Sequence, residues 1–357
     1  MNSKEIIDNL IRGKKADRVG LYDNPWPDTV EKWEKEGHLK EGVTKEFGFD
    51  KINVGGWFQN LPLLGGEVIE ETDEWRVTRN GAGASLKYWK HKSGTPEHID
   101  FQMSSREIWE RDYREHLLEV DRNRIDFDWT HRSIKYAKDN NLWSFYGHMF
   151  IWETMRSSLG DVCMYETLIL DPDWIHDYNR VYTDFYKKHF ALIIEECGKP
   201  DGIWLYEDLG YNQGLFCSPN TLKELIFPYY KEIVDFFHNE YDLPVVLHSC
   251  GNITAAMPLI VEAGFDALNP MEAKAGCDIF AFAEQYGDKL AFVGGLDARI
   301  LESGDRDLIK TEVIKIVEGM KARGARYIFG SDHSISPLVK YEDFLYAIEV
   351  YKEHMMY

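Results

Sequence analysis

Residues 244–297 read PVVLHSCGNITAAMPLIVEAGFDALNPMEAKAGCDIFAFAEQYGDKLAFVGGLD, and three times in that stretch a short apolar run gives way to a helix-like segment. The runs PVVL, FDAL and LAFV are too short for buried helices and lead into polar residues, so they read as strands buried on both faces. The alternation continues outward. Toward the N-terminus, LWSFYGHMF (142–150) and GIWLYEDLG (202–210) repeat the unit; toward the C-terminus, RYIFGSDH (326–333) does. Two earlier runs, RVGLY (18–22) and KINVGGW (51–57), bring the strands to eight. Eight β-then-α units predict an α/β fold, a single (β/α)8 TIM barrel over residues 1–357, for which about 250 residues suffice. The surplus goes to an N-terminal extension and to a β-hairpin inserted at 74–101, where two β-rich runs flank a Gly-containing turn. An open, doubly wound sheet is the alternative. No G-x-G-x-x-G follows any strand and no G-x-x-x-x-G-K-[ST] occurs, which removes the commonest reason to prefer it.

Composition excludes several function classes. The chain of 357 residues is 44% hydrophobic and 29% charged, and 41 Lys plus Arg against 61 Asp plus Glu leave a formal charge of −20. That balance repels a phosphate backbone or an anionic bilayer, so neither nucleic acid nor a membrane is expected as partner. No apolar run approaches the ~20 residues needed to cross a bilayer, and the start, MNSKEIIDNLIRGKKADR, lacks a signal-peptide core. Five cysteines, an odd number with no C-x-x-C pair, fit reduced thiols and a cytoplasmic location. Aromatic content of 14%, with 11 Trp and 20 Tyr, points to a pocket for a flat ligand.

Active sites of such barrels sit at the C-terminal ends of the strands, which directs attention to the polar residues there. His248 and Cys250 lie two apart at a strand end, so their side chains project from one side and can reach one ion. Imidazole and thiolate are preferred zinc ligands, and Glu272 and His333 at later strand ends can complete a tetrahedral shell. HSCGN also reads as a hydrogen-bonded core histidine beside a buried cysteine, Glu272 as a helix-start carboxylate, and His333 as a substrate donor or a loop residue. Glu207 and Asp208 stand where a general acid is useful; adjacent in a strand end, they cannot face the same way. His148 is either a hydrogen-bond donor to substrate or a satisfied buried histidine. Trp26, Trp57, Phe58, Met149, Trp152 and Tyr206 are candidates for an aryl pocket, with core or loop packing as the alternative. Tyr211 is expected on a covering loop, and Asp297 at the substrate or as a helix cap.

The stretches LHSCGNITAAMPLIVEAGFDALNPMEAKAGCDI, GDKLAFVGGLDARIL and YIFGSDHSISPLVKYEDF resemble the uroporphyrinogen decarboxylase superfamily, specifically its corrinoid-dependent methyltransferase-like branch. KKADRVGLYDNPWPDTVEKWEKEG and YEDLGYNQGLFCSP extend the resemblance over most of the chain. It implies a (β/α)8 barrel. Porphyrinogen decarboxylases carry an Arg-Gln-Ala-Gly-Arg run after the first strand to hold substrate carboxylates, and LYDNPWPDTVEKW stands there instead. In the methyltransferase branch zinc is bound by His-x-Cys, a downstream Glu and a final Cys. His248, Cys250 and Glu272 match the first three positions, and His333 stands in the last ligand's place. A shell with one thiolate is a stronger Lewis acid than one with two. The resemblance therefore implies a zinc-dependent O-demethylase that passes the methyl group of a methoxylated substrate, expected to be an aryl methyl ether, to Co(I) of a corrinoid. No D-x-H-x-x-G signature is present, so the corrinoid (cobalamin) is expected on a separate small corrinoid protein. Methylation of a thiol of the coenzyme M type, a uroporphyrinogen-decarboxylase-like lyase activity, and a non-catalytic tetrapyrrole-binding barrel are the alternatives.

Overall fold

The computed structural model describes residues Met1–Tyr357. Eight parallel strands form the barrel: β1 (Gly20–Leu21), β2 (Lys51–Asn53), β3 (Trp143–Met149), β4 (Gly202–Tyr206), β5 (Val245–Ser249), β6 (Ala267–Pro270), β7 (Ala291–Val293) and β8 (Tyr327–Phe329). They pair in the order β1-β8-β7-β6-β5-β4-β3-β2, all in parallel. Each of the eight sequence runs contains one of these strands. No helix is long and apolar enough to cross a membrane.

The seam between β1 and β2 is closed by a carboxylate. Asp50 N–H donates to the Leu21 carbonyl at 2.9 Å, Leu21 N–H donates to Asp50 Oδ2 at 2.8 Å, and Arg18 grips both oxygens at 2.6 and 2.8 Å. A strand of two residues has little ladder of its own, so this buried acid substitutes for one.

Inside the barrel, Trp143, Phe145, Trp204, Val246, Ala267, Ala291, Val293 and Ile328 form one cluster with Ile6, Ile7, Leu10 and Ile11 of the N-terminal helix Ser3–Ile11. That helix plugs the lower end. Its start is fixed by reciprocal bonds of 2.9 Å between Asn2 and Glu5, and its apolar face follows the 3.6-residue period. Lys51 is wholly buried among these rings: its Nζ lies 3.2 Å from the Tyr22 ring centre and 3.4 Å from that of Trp204, with no hydrogen-bond partner. Five tryptophans, Trp33, Trp109, Trp143, Trp152 and Trp204, are among the largest fully buried side chains, so much of the aromatic surplus fills core instead of lining a pocket.

The inserted segment is larger than a hairpin. Four antiparallel strands run Glu67–Glu71, Trp75–Arg79, Ala84–Trp89 and Glu97–Phe101. The two outer strands, EVIEE and EHIDF, escape a pattern search because they are almost wholly exposed edges with no buried face to impose alternation.

Replacing Asp50 with Ala leaves Arg18 without its carboxylate and the Leu21 N–H unpaired. The expected loss is about 3 kcal/mol in urea-induced unfolding; an unchanged midpoint contradicts the seam's role.

Candidate functional site

Strands β4, β5 and β6 bring their C-terminal ends together. In the parallel register His248 lies beside Tyr206 on one side and Asn269 on the other. Asn269 donates from Nδ2 to the Val293 carbonyl at 2.9 Å, which fixes the amide so that its Oδ1 faces His248 Nδ1 at 2.5 Å. The proton of the neutral imidazole then sits on Nδ1 and the Nε2 lone pair points into the barrel mouth. Cys250 Sγ lies 3.4 Å from that Nε2, and Asp208 Oδ1 3.6 Å from it. Asp208, His248 and Cys250 thus offer oxygen, nitrogen and sulfur donors that all fall within 4.8 Å of one another.

The backbone makes this convergence possible. Cys250 N–H donates to Asp208 Oδ1 at 2.8 Å, tying the two strand ends together. Gly251 follows at φ +80°, and a Cβ there would lie 2.1 Å from the Gly210 carbonyl carbon and 2.4 Å from Tyr211 N. Only glycine permits that approach. Gly251 N–H donates to Glu272 Oε2 at 2.6 Å, while Glu272 Oε1 pairs with Lys274 at 3.0 Å. Burial, reinforced by Asp208 and Glu272, holds the Cys250 thiol well above its ordinary pKa. A thiol crowded by two carboxylates is a donor set short of a cation, and soft-plus-borderline donors of this kind suit zinc.

A family model described as uroporphyrinogen decarboxylase (URO-D) matches residues 164–354, more than half of the sequence. The chain belongs to the uroporphyrinogen decarboxylase family. Among solved structures, a methyltransferase from Methanosarcina mazei superposes with a TM-score of 0.71 at 16% identity, covering 99% of both chains. A B12-independent methionine synthase from a Shewanella species covers 94% of this chain and 95% of its own, at 11% identity and a TM-score of 0.47. No curated protein matches. The first likeness establishes a shared fold over the full length.

In this family member the sequence-derived candidates divide into three groups. Asp208, read as a catalytic acid, joins His248 and Cys250, whereas Glu272 and His333 fall outside that triad. Glu272 is occupied by Gly251 and Lys274, and His333 faces the mouth beside Trp26, with ring centres 6.1 Å apart. A second group lines the mouth: Tyr206 stacks on Trp57 at 5.7 Å and approaches His248 at 5.2 Å, and Trp57 is 41% exposed. Tyr211 stands exposed on a small hairpin of Gly210–Tyr211 with Gly214–Leu215. Met149 is half-buried at the last position of β3.

The third group is structural. Glu207 is wholly buried, accepting from the backbone N–H groups of Phe150, Trp152 and Glu153 and from the Tyr230 hydroxyl at 2.6 Å, so it anchors the start of helix Ile151–Leu159. Burial pushes its carboxyl up to about 8. Trp152 is buried within that helix, and Phe58 packs among His148, Tyr186 and His189. Asp297 caps helix Ala298–Glu302 through Arg299 N–H and pairs with the Arg299 guanidinium at 2.6 Å. His148 is buried between the carbonyls of Met149 and Phe58, at 2.8 and 2.9 Å. All five side chains are engaged in packing, capping or backbone hydrogen bonds within the chain.

Three residues that sequence reasoning left without a role matter here. Asn269 sets the His248 tautomer; Asp332 accepts from Ala273 N–H and Ala298 N–H, both at 2.8 Å, and so braces the loops after β6 and β7; Asp23 lies buried at the end of β1. Each is a polar residue at a strand end, which is the one signal that marked them.

Burial lowers the His148 pKa to about 4. In the unfolded chain the imidazole protonates near 6.5, so stability is full above that pH and falls as the pH drops from there toward 4. Between pH 7 and pH 5 the wild type is expected to lose about 2 kcal/mol more than His148→Asn in urea unfolding. Equal losses contradict the buried, neutral histidine.

Proposed function

We propose that the protein is a zinc-dependent methyltransferase that removes the methyl group of a methoxylated substrate, an aryl methyl ether, and delivers it to Co(I) of a small corrinoid protein docked over the barrel mouth. The observation that carries this reading is the convergence of Asp208, His248 and Cys250 where barrel enzymes keep their reactive groups. These three residues are the proposed ligands. When bound, zinc supplies Lewis acidity toward an ether oxygen, and a donor set with a single sulfur favours that use over activation of a thiol.

The chain's own residues do the rest. Asn269 keeps the imidazole lone pair directed at the site, and Gly251 lets the Cys250 turn close against the β4 turn. Trp57 and Tyr206 offer flat faces on which an aromatic ring can lie, leaving the methyl group toward the open mouth. A corrinoid held by the partner would supply Co(I), a strong nucleophile, as acceptor of the methyl group. The fold neighbour from Methanosarcina mazei, itself a methyltransferase, is compatible with this reading. A cytoplasmic location suits it as well, since all five cysteines are unpaired.

Metal analysis of the purified protein tests the ligand set. About one zinc per chain is expected, lost in Cys250→Ser and Asp208→Asn and retained in Glu272→Gln and His333→Gln. Retention in the first pair, or loss in the second, contradicts the triad. Direction is tested by mixing the enzyme with reduced cobalamin and a panel of methoxylated aromatics. Loss of the Co(I) absorbance with at least one ether is expected; no loss with any, together with consumption of methylcobalamin by coenzyme M, reverses the assignment.

A further inference from the structure

Glu272 stands beside the proposed ligands without joining them. It is buried, and its charge helps to hold the Cys250 thiol above its ordinary pKa, so the carboxylate lies near the sulfur. Both its oxygens are nevertheless engaged elsewhere: Oε2 accepts from Gly251 N–H at 2.6 Å, and Oε1 pairs with Lys274 Nζ at 3.0 Å. A carboxylate next to a thiol, an imidazole and a second carboxylate is an ordinary fourth donor for a tetrahedral ion. Catalytic zinc sites keep three protein ligands and one open position, whereas structural sites close the shell with four. A site that is to admit substrate therefore has to hold this carboxylate off.

Lys274 is the group placed to do so. Glu272 opens the short turn Ala273–Ala275, Lys274 is its middle residue, and the pair is the only ion pair that either residue makes. The acids around it are committed to other donors. Asp332 accepts from Ala273 N–H and Ala298 N–H, Asp297 is tied to the Arg299 guanidinium, and Asp208 accepts from Cys250 N–H. The lysine side chain is 42% exposed and the glutamate 6%, so a buried carboxylate receives its single countercharge from the rim. The Gly251 bond by itself occupies one acceptor position of Oε2. Without the ammonium, Oε1 would be a buried anionic oxygen with no compensating charge, beside donors that gather a cation. An ion held by the triad would then replace the lost partner.

We infer that Lys274 is a positioning residue: by pairing with Glu272 it keeps that carboxylate out of the ligand shell, so that an ion held by Asp208, His248 and Cys250 retains one position for an oxygen of the substrate. The lysine touches neither ion nor substrate in this role and acts through Glu272. This deepens the methyl-transfer reading and rests on it for the presence of an ion.

Cobalt(II) accepts the same donors as zinc, and its visible absorption changes when an outside ligand enters the shell. Imidazole serves as that ligand, because a neutral probe does not respond directly to loss of the lysine charge. The cobalt-loaded wild type is expected to give a saturable spectral shift with imidazole. In Lys274→Met the affinity for imidazole is expected to fall at least about tenfold, the size of effect that partners of metal ligands have. In the double variant Lys274→Met/Glu272→Gln it is expected to return to within about twofold of the wild type. A wild type that ignores imidazole overturns the inference and leaves the one-sulfur ion standing. Lys274→Met protein that binds imidazole like the wild type, or takes up no cobalt, overturns it too, as does a double variant in which imidazole binding is not restored. Wild-type protein that takes up no cobalt counts against the ligand triad itself, and the inference falls with it.

Discussion

The turn after β5 has to cross the turn after β4 backbone against backbone. Gly251 and Gly210 meet with no room for a side chain between them, and Cys250 N–H is bonded to Asp208 across the same gap. This single close approach sets the positions of Asp208, Cys250 and, through the Gly251 N–H, Glu272. A bulkier pair of turns would hold the strand ends apart, and three donors on two strands would become three isolated polar groups. The lateral register then supplies the tautomer, since Asn269 on β6 is the neighbour of His248 on β5.

Around that centre the mouth is organised by carboxylates that act on backbone, not on ligand. Glu207 holds the start of the helix after β3, Asp332 braces the loops after β6 and β7, and Asp50 closes the seam between β1 and β2. Strand ends in a parallel barrel expose N–H groups of the following turns, and acids are the side chains able to accept two or three of them. Part of the chain's acidic excess is thus internal scaffolding. An acid at a strand end is therefore ambiguous in sequence: Asp208 and Glu207 are neighbours, and one joins the triad while the other is buried in a helix start.

The barrel itself was legible because its strands are buried on both faces and stand out as apolar runs between amphipathic segments. The outer strands of the inserted sheet were not, since exposed edges leave no hydrophobic period. His248 and Cys250 were legible as a pair through the two-residue period of a strand. The sequence reading joined Glu272 and His333 to that pair and gave Asp208 a different role; Asp208 enters as a third donor through the three-dimensional approach of the β4 and β5 turns. His148, Phe58 and Trp152 look like site residues in one dimension because strand ends and the first helical turns carry both core and mouth positions. Asp23 passed unnoticed beside Trp26 because its partner, Ser331, lies on the strand that closes the ring from the other end of the chain.

The central claim is that one ion is held by one sulfur, one imidazole and one carboxylate. X-ray absorption at the zinc edge of the purified protein measures this directly. A single sulfur scatterer at about 2.3 Å with nitrogen or oxygen neighbours at about 2.0 Å is expected. Two sulfurs in the first shell, or a shell of oxygen alone, would contradict the account.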